Sequence, residues 1–158
     1  MATSKRLLID MKEVKQSLPF FTVFFIITLC MYHTTAGAGF VTDEIGWFET
    51  YARLGWKGMF TAFGDRSLHY IYHIAGFLLW RLFRFNGTAW MLIFASLHAL
   101  VTTVGFFLFK SIFRSVVPTK ATVVSFLGSL LFLLSPYQTE VLVWYACVHY
   151  LICTLVIS

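Results

Sequence analysis

The chain has 158 residues, of which 59% are hydrophobic and 12% are charged. Because soluble domains have about 25% charged residues, this composition excludes an ordinary soluble domain and predicts an all-α, polytopic membrane protein. The formal net charge of +5 does not indicate a nucleic-acid partner, since the basic residues cluster at the ends of apolar runs, as membrane topology requires. At about 20 residues per span, the length allows four or five transmembrane helices.

The N-terminal lead, residues 1–17, is polar and basic and is predicted to be cytoplasmic. The first apolar run extends from about Leu18 to His33, with an end as late as Gly39. Its length favours a retained helix over a cleaved signal peptide, whose apolar region is about 7–15 residues long. Pro19 is expected near the start of this helix, where a missing backbone N–H is tolerated.

Residues 34–66 form the longest connection that contains polar residues, and we predict that this connection lies on the outer side of the membrane. Glu49, Arg53 and Lys57 follow one another at i, i+4 intervals on one helical face. The opposite, apolar face is predicted from Ile45, Phe48, Ala52, Gly55 and Met59. This pattern is typical of one or two juxtamembrane helices that lie in the membrane interface.

Four more apolar runs follow along the sequence. They extend from about Leu68 to Phe83, Ala89 to Phe113, Ala121 to Leu134, and from near Val141 to the end. The last run reaches Ser158 without a basic stop, so we expect residues 1–158 to be a single transmembrane module that is truncated. Asn86-Gly87-Thr88 matches a glycosylation sequon, but simple alternation of spans places it on the cytoplasmic side.

The basic connection between the third and fourth runs conflicts with simple alternation. Alternation places residues 110–120, with their three basic side chains, outside, whereas the positive-inside rule places them in the cytoplasm. We favour the cytoplasmic placement, which puts Glu140 on the same outer side as Asp43 and Glu44. The second run is about 16 residues long, shorter than a usual span, and becomes the candidate for a partial or re-entrant segment.

Two adjacent acids follow the first apolar run. No Asp, Glu, Lys or Arg occurs from Gln16 to Thr42, and then Asp43 and Glu44 stand side by side. A partly desolvated carboxylate at the outer surface has the properties of a general base that deprotonates an acceptor hydroxyl. The alternative is a solvated helix cap formed by Thr42 or Asp43.

Two further charged residues have a functional and a structural interpretation. Glu140 lies in a short polar turn, where it could bind a divalent metal, orient a phosphate through a metal, or hydrogen-bond sugar hydroxyls. The alternative is an acid in the first turn of the fifth helix, favoured there by the helix dipole. Arg66 could hold a lipid phosphate, since arginine pairs bidentately with phosphate, or could anchor a span at the interface.

The histidines allow two interpretations as well. Asp65, His69 and His73 fall at i, i+4, i+8 on one helical face, which is a metal-ligand spacing. Without a third close ligand the spacing favours packed or interfacial histidines. His98 lies in the middle of the third run, where an ionisable group usually faces a polar interior. The alternative is a neutral histidine that is hydrogen-bonded to a neighbouring helix.

Several short motifs, taken together, resemble the N-terminal portion of the GT-C membrane glycosyltransferases. The closest similarity is to the protein O-mannosyltransferase-like group and to the transmembrane-and-TPR mannosyltransferases. The motifs are Arg66-Ser67-Leu68, His98-Ala99-Leu100, Leu131-Phe132, Ser135-Pro136, Thr139-Glu140-Val141 and Trp144. The chain departs from the family pattern at Ser67, which replaces a proline, at Ser135, which replaces a histidine, and at Ala146-Cys147-Val148.

The resemblance implies transfer of a sugar from a polyprenyl-phosphate donor to a protein or glycan acceptor on the outer face of a plasma or inner membrane. By analogy, Asp43 would be the acceptor-activating base and Glu44 a supporting acid. Glu140 would line the same catalytic cavity. Residues that would contact the substrate are Arg66, at the donor phosphate, His98 and Trp144. The alternative is a non-enzymatic accessory protein or a flippase-like subunit for lipid-linked sugars, with the acids as surface caps.

Overall fold

The computed structural model describes the backbone of residues 11–37, 40, 42–61, 70–135 and 148–157, and side chains within 15–37, 40, 45–57, 73–135 and 150–156. This part of the chain contains helices and turns and no strand, so the all-α prediction is confirmed. The helices are α1 (Met11–Tyr32), which continues as a 3₁₀ helix (His33–Gly37), α2 (Thr42–Thr61), α3 (Tyr70–Phe83), α4 (Gly87–Val116), α5 (Ala121–Leu133) and α6 (Val148–Ile157).

Two helical stretches, Lys15–Gly37 and Gly87–Val116, are long and apolar enough to cross a membrane. The helices α3 and α5 are apolar but shorter. At a rise of about 1.5 Å per residue, the 14 residues of α3 cover roughly 21 Å, less than the hydrocarbon thickness of about 30 Å. Length and composition therefore support two of the predicted four or five spans.

The first helix begins earlier than the sequence predicts. It starts at Met11, so Pro19 lies in the helix interior and not near its start. A proline there removes one backbone hydrogen bond of the helix. The helical pattern of the polar lead thus joins the first apolar run without a break, and the expectation of a helix start near Leu18 is corrected.

α1 and α4 pack against each other in antiparallel directions. Phe20, in the first half of α1, stacks on Phe106 in the second half of α4, with ring centroids 4.2 Å apart. At the other end, the carbonyl oxygen of Ala36 lies so close to Gly87 that a Cβ added to this glycine would be 2.5 Å away. The absence of a side chain at Gly87 is what lets the 3₁₀ helix approach the start of α4.

α5 returns antiparallel to α4 after a short turn, in which the Lys120 N–H donates to the carbonyl of Val117 (3.0 Å). Phe24 of α1 stacks on Phe126 of α5, with centroids 5.6 Å apart, so α5 also reaches α1. The buried face of α5 carries small residues, which let helix backbones approach closely. These buried residues are Ala121, Ser125 and Ser129, followed by Leu133.

The antiparallel packing gives the helix bundle two different ends. The basic end contains the start of α1, the end of α4 and the start of α5, with the side chains of Lys15, Lys110, Arg114 and Lys120. The aromatic end contains the end of α1, the start of α2 and the turn before α4. There the ring of Phe40 lies 5.1 to 5.9 Å, between centroids, from the rings of Phe48, Phe85 and Trp90.

The turn that contains the sequon lies at the aromatic end. The prediction that placed Asn86 on the same side as the N-terminal lead is therefore wrong, because Lys15 is at the opposite end of the bundle. Asn86 instead caps α4, its side-chain oxygen accepting from the Ala89 N–H at 3.1 Å. The connection 117–120 shares the basic end with the start of α1, as expected if the second apolar run does not cross the membrane.

Candidate functional site

The acid pair lies at the aromatic end of the bundle. Asp43 and Glu44 are in the first turn of α2, three and four positions after Phe40 in the sequence. Their side chains fall outside the described part of the chain. The backbone places the pair on the opposite end of the molecule from the basic connection between α4 and α5.

α2 is anchored to the bundle by aromatic residues. Phe48 and Tyr51 are buried, and the ring of Phe48 lies 5.4 Å from that of Trp90 in α4. The Tyr51 hydroxyl and Nδ1 of His73 in α3 are 3.2 Å apart and share a hydrogen bond whose direction depends on the histidine tautomer. His73 is thus a packed, hydrogen-bonded residue, and Asp65 and His69, its expected metal-site neighbours, lie outside the described residues.

We expect Tyr51→Phe to lower the stability of the protein by about 1 kcal/mol, because the mutant loses a buried hydrogen bond to His73 while it keeps the ring packing. The measurement is unfolding in detergent, followed by helical circular dichroism. A double-mutant cycle with His73→Phe isolates the pair. Strictly additive effects of the two substitutions would show that the pair makes no stabilising contact.

The polar face of α2 has the predicted character. Arg53 and Glu49 form an exposed ion pair with an N–O distance of 3.4 Å at i, i+4 spacing. Gly55 has φ 55° and ψ −138°, so α2 is kinked there and consists of two helical segments, whose position at a membrane interface stays a prediction. A side chain at this φ/ψ combination is strained, and glycine provides the kink without that cost.

The turn after α3 is held by an arginine and two tryptophans. Arg84 has φ 49°, a left-handed conformation, and its guanidinium carbon lies 4.0 Å from the ring centroid of Trp80. The indole N–H of Trp90 donates to the Arg84 carbonyl at 2.8 Å. These contacts fix the path of the chain from α3 into α4 and therefore the position of the aromatic end on which α2 rests.

His98 is fully buried in the middle of α4. Its ring centroid lies 5.6 Å from that of Phe132 in α5, and the ring faces the carbonyl of Leu133. By strict geometry neither ring nitrogen has a hydrogen-bond partner among the described residues, and the Leu133 carbonyl is the acceptor on the neighbouring helix α5 that the ring faces. Because both nitrogens are buried, His98 offers no accessible surface to a substrate in this conformation.

Two buried serines beside α4 were not singled out by the sequence. The hydroxyls of Ser125 and Ser129 in α5 are buried, and within the described part of the chain neither has a hydrogen-bond partner. Their spacing in the sequence could have revealed them, because Ala121, Ser125 and Ser129 are four residues apart and therefore share one face of α5. Buried polar atoms without partners are uncommon. Together with His98, the two serines give the α4–α5 interface a polar character.

Three of the predicted site residues, Arg66, Glu140 and Trp144, lie outside the residues that the structure describes. The contacts among the members of the predicted site therefore stay a prediction. Among the described side chains, no group of three or more His, Cys, Asp or Glu residues could hold a metal ion.

Comparison of the chain with protein-family models, with curated proteins and with solved structures gave no significant match.

Proposed function

We propose that this chain is the N-terminal module of a multi-pass membrane glycosyltransferase. The module would help to transfer a sugar from a polyprenyl-phosphate donor to a protein or glycan acceptor at the outer face of the membrane. The observation that supports this proposal best is the separation of two ends in one bundle. The first turn of α2, which contains Asp43 and Glu44, lies at the aromatic end, away from the basic end.

Membrane insertion is supported by the lateral surface of the bundle. The helices α1, α4 and α5 present large apolar side chains to their surroundings, which soluble proteins rarely do over a wide area. Exposed residues of this kind include Leu18, Val23 and Ile26 in α1, Leu100, Leu108 and Ile112 in α4, and Val123, Leu127 and Leu131 in α5. A lipid environment removes the cost of exposing them.

The orientation follows from the basic residues. Seven of the twelve Lys and Arg residues belong to the N-terminal lead and to the stretch 110–120, which joins the end of α4 to α5. The basic end is therefore proposed to face the cytoplasm and the aromatic end the outer side. In this orientation the α2–α3 segment lies on the outer side, with α3 as a partial crossing.

Cysteine labelling measures this orientation. In a background whose three native cysteines are replaced by serine, we expect Thr88→Cys to react with a membrane-impermeant maleimide in sealed cells. Ser115→Cys, at the basic end, is expected to react only after permeabilisation. Reaction of Ser115→Cys in sealed cells would contradict the proposed orientation.

The proposed chemistry uses carboxylates on the outer side. Asp43 would accept the proton of the acceptor hydroxyl as it attacks the anomeric carbon, and the polyprenyl phosphate would leave. Glu44 and Glu140 would be supporting acids in the same cavity, and Glu140 could act with a divalent metal. Arg66 would pair with the donor phosphate, while Trp144 would contact the substrate. His98 is buried and would contact the substrate only after a local opening of the helix bundle.

The test is a transfer assay with the natural protein in sealed vesicles. With radiolabelled polyprenyl-phosphate mannose as the donor, we expect the label to move from the lipid fraction to the protein or glycan fraction. Polyprenyl-phosphate glucose serves as the comparison donor. Vesicles that transfer from neither donor, with the protein folded and correctly oriented, would favour the alternative of an accessory or flippase-like subunit.

A further inference from the structure

A cavity of about 180 Å³ lies between α4, α5 and α6 and is open on one side. It is lined along α4 by residues from Val101 to Phe109, so it is centred near the middle of this 30-residue helix. His98 lies one turn before the cavity, and Phe132, which contacts the His98 ring, forms part of its wall. The cavity is thus at the depth of the membrane's hydrocarbon region in the orientation proposed above.

The walls of the cavity are mainly apolar, with the Ser129 hydroxyl as the one lining polar group that has no hydrogen-bond partner among the described residues. None of the lining residues is charged, and two of the three lining hydroxyls already donate within their own helices. Thr102 donates to the His98 carbonyl at 2.9 Å and Thr154 to the Tyr150 carbonyl at 2.7 Å. The third hydroxyl, of Ser129, is itself buried from the accessible space. What the cavity offers to an occupant is therefore mainly hydrocarbon, including the rings of Phe109 and Phe132.

Gly105 lies in the wall of this cavity. Glycine weakens the interior of a helix relative to alanine, and it is usually explained by the close approach of another group. At Gly105 a Cβ would meet nothing within 4 Å, in contrast to Gly87 on the same helix. No packing contact within the described residues accounts for this glycine, whereas an occupant of the adjacent cavity would.

We propose that this cavity binds one hydrocarbon chain of a membrane lipid. The volume is close to that of an engineered apolar cavity of about 150 Å³ that holds a benzene molecule, and it is too small for a sugar phosphate. The proposal rests on the membrane placement of α4 and α5 proposed above, and it is independent of the glycosyl-transfer chemistry. This hydrocarbon chain is that of a bilayer phospholipid or of a polyprenyl phosphate.

Photo-cross-linking in vesicles tests the proposal and separates the two sources. One arm uses phosphatidylcholine with a diazirine on an acyl chain, and the other uses polyprenyl phosphate with a diazirine in its chain. We expect at least one probe to label residues 101–109 or 129–132, as mapped by peptide mass spectrometry. The arm that gives this label identifies the source of the chain.

Filling the cavity supplies the controls. Gly105→Leu is expected to reduce the label about tenfold, while Thr122→Leu, on the exposed face of α5, leaves it unchanged. Gly105→Ala, whose Cβ has free space, keeps the fold and gives a smaller reduction. Equal labelling of the wild type and both Gly105 variants would overturn the proposal, as would cavity labelling no stronger than that of exposed Leu127. Absence of label at Leu127 as well would instead refute the membrane placement.

Discussion

Replacement of Asp43 by asparagine is expected to lower the rate of glycosyl transfer by about 10²- to 10⁴-fold, the usual contribution of a positioned general base. Asparagine keeps the size and the helix-capping ability of aspartate but cannot accept the proton of an acceptor hydroxyl. The rate is measured in sealed vesicles at saturating donor. A strong loss with unchanged helical content would assign Asp43 to the reaction and not to the fold.

The matched control is Glu49→Gln in the same helix. Glu49 is exposed and pairs only with Arg53 among the contacts in the described residues, so its charge is expected to matter little for rate or stability. Asp43→Asn with wild-type activity would remove Asp43 from the catalytic set and leave the capping interpretation. Equal losses in both variants would indicate a general effect of charge on α2.

Replacement of Gly87 by alanine is expected to destabilise the bundle by about 1–3 kcal/mol, the usual cost of overpacking a tight contact. The new Cβ would lie 2.5 Å from the carbonyl oxygen of Ala36. A backbone oxygen cannot rotate away as a flexible side chain does, so the 3₁₀ helix would have to move from α4. This contact joins α1 to α4 at the aromatic end, and its loss would also displace the start of α2.

Gly105→Ala is the control for this prediction, because it makes the same chemical change in the same helix without a clash. It is expected to be neutral or to stabilise by up to about 1 kcal/mol through helix propensity. Both variants can be compared by unfolding in mixed detergent micelles. Equal midpoints for Gly87→Ala and the wild type would show that Ala36 and Gly87 are not in contact.

Local features of the fold were predictable because they depend on local sequence. The run of small and apolar residues from Ala121 to Leu134 became α5, Ala121–Leu133, and the break at Pro118 separates it from α4. The start of α4 was also marked, since Asn86-Gly87 is a turn signal and asparagine is a good N-cap. The start of α1 was missed because Pro19 was taken as a boundary, although the helical pattern continues on both sides of it.

The pairing of helices was not predictable in the same way. Phenylalanine occurs in each of the first four apolar runs, so composition does not indicate that Phe20 meets Phe106 or that Phe24 meets Phe126. The start of α1 and the connection between α4 and α5 share one end of the bundle, which is compatible with the positive-inside rule, while their side of the membrane stays a prediction. That rule depends on charge at the helix ends and not on which faces touch.

The candidate site was predictable only as a set of separate residues. Asp43 and Glu44 are placed by the backbone of α2, and His98 is placed with its side chain. For His98 the sequence allowed either a polar interior or a hydrogen bond to a neighbouring helix, and in the structure the ring is buried beside Phe132 without a hydrogen-bond partner of acceptable geometry among the described residues. Side-chain burial depends on neighbouring helices, which the sequence of α4 alone does not contain.

The stacking of Phe20 on Phe106 has a consequence for how the protein is made. The two rings are more than eighty residues apart in sequence, whereas α4 and α5 are joined by a turn of four residues. During synthesis α1 leaves the ribosome long before α4 exists, so in the membrane placement proposed above it would first stand in the bilayer without this packing partner. Helices that insert independently and associate later follow this order. The α2–α3 pair, joined by Tyr51 and His73, and then the α4–α5 hairpin can pack as soon as their helices are made, and α1 joins α4 only afterwards.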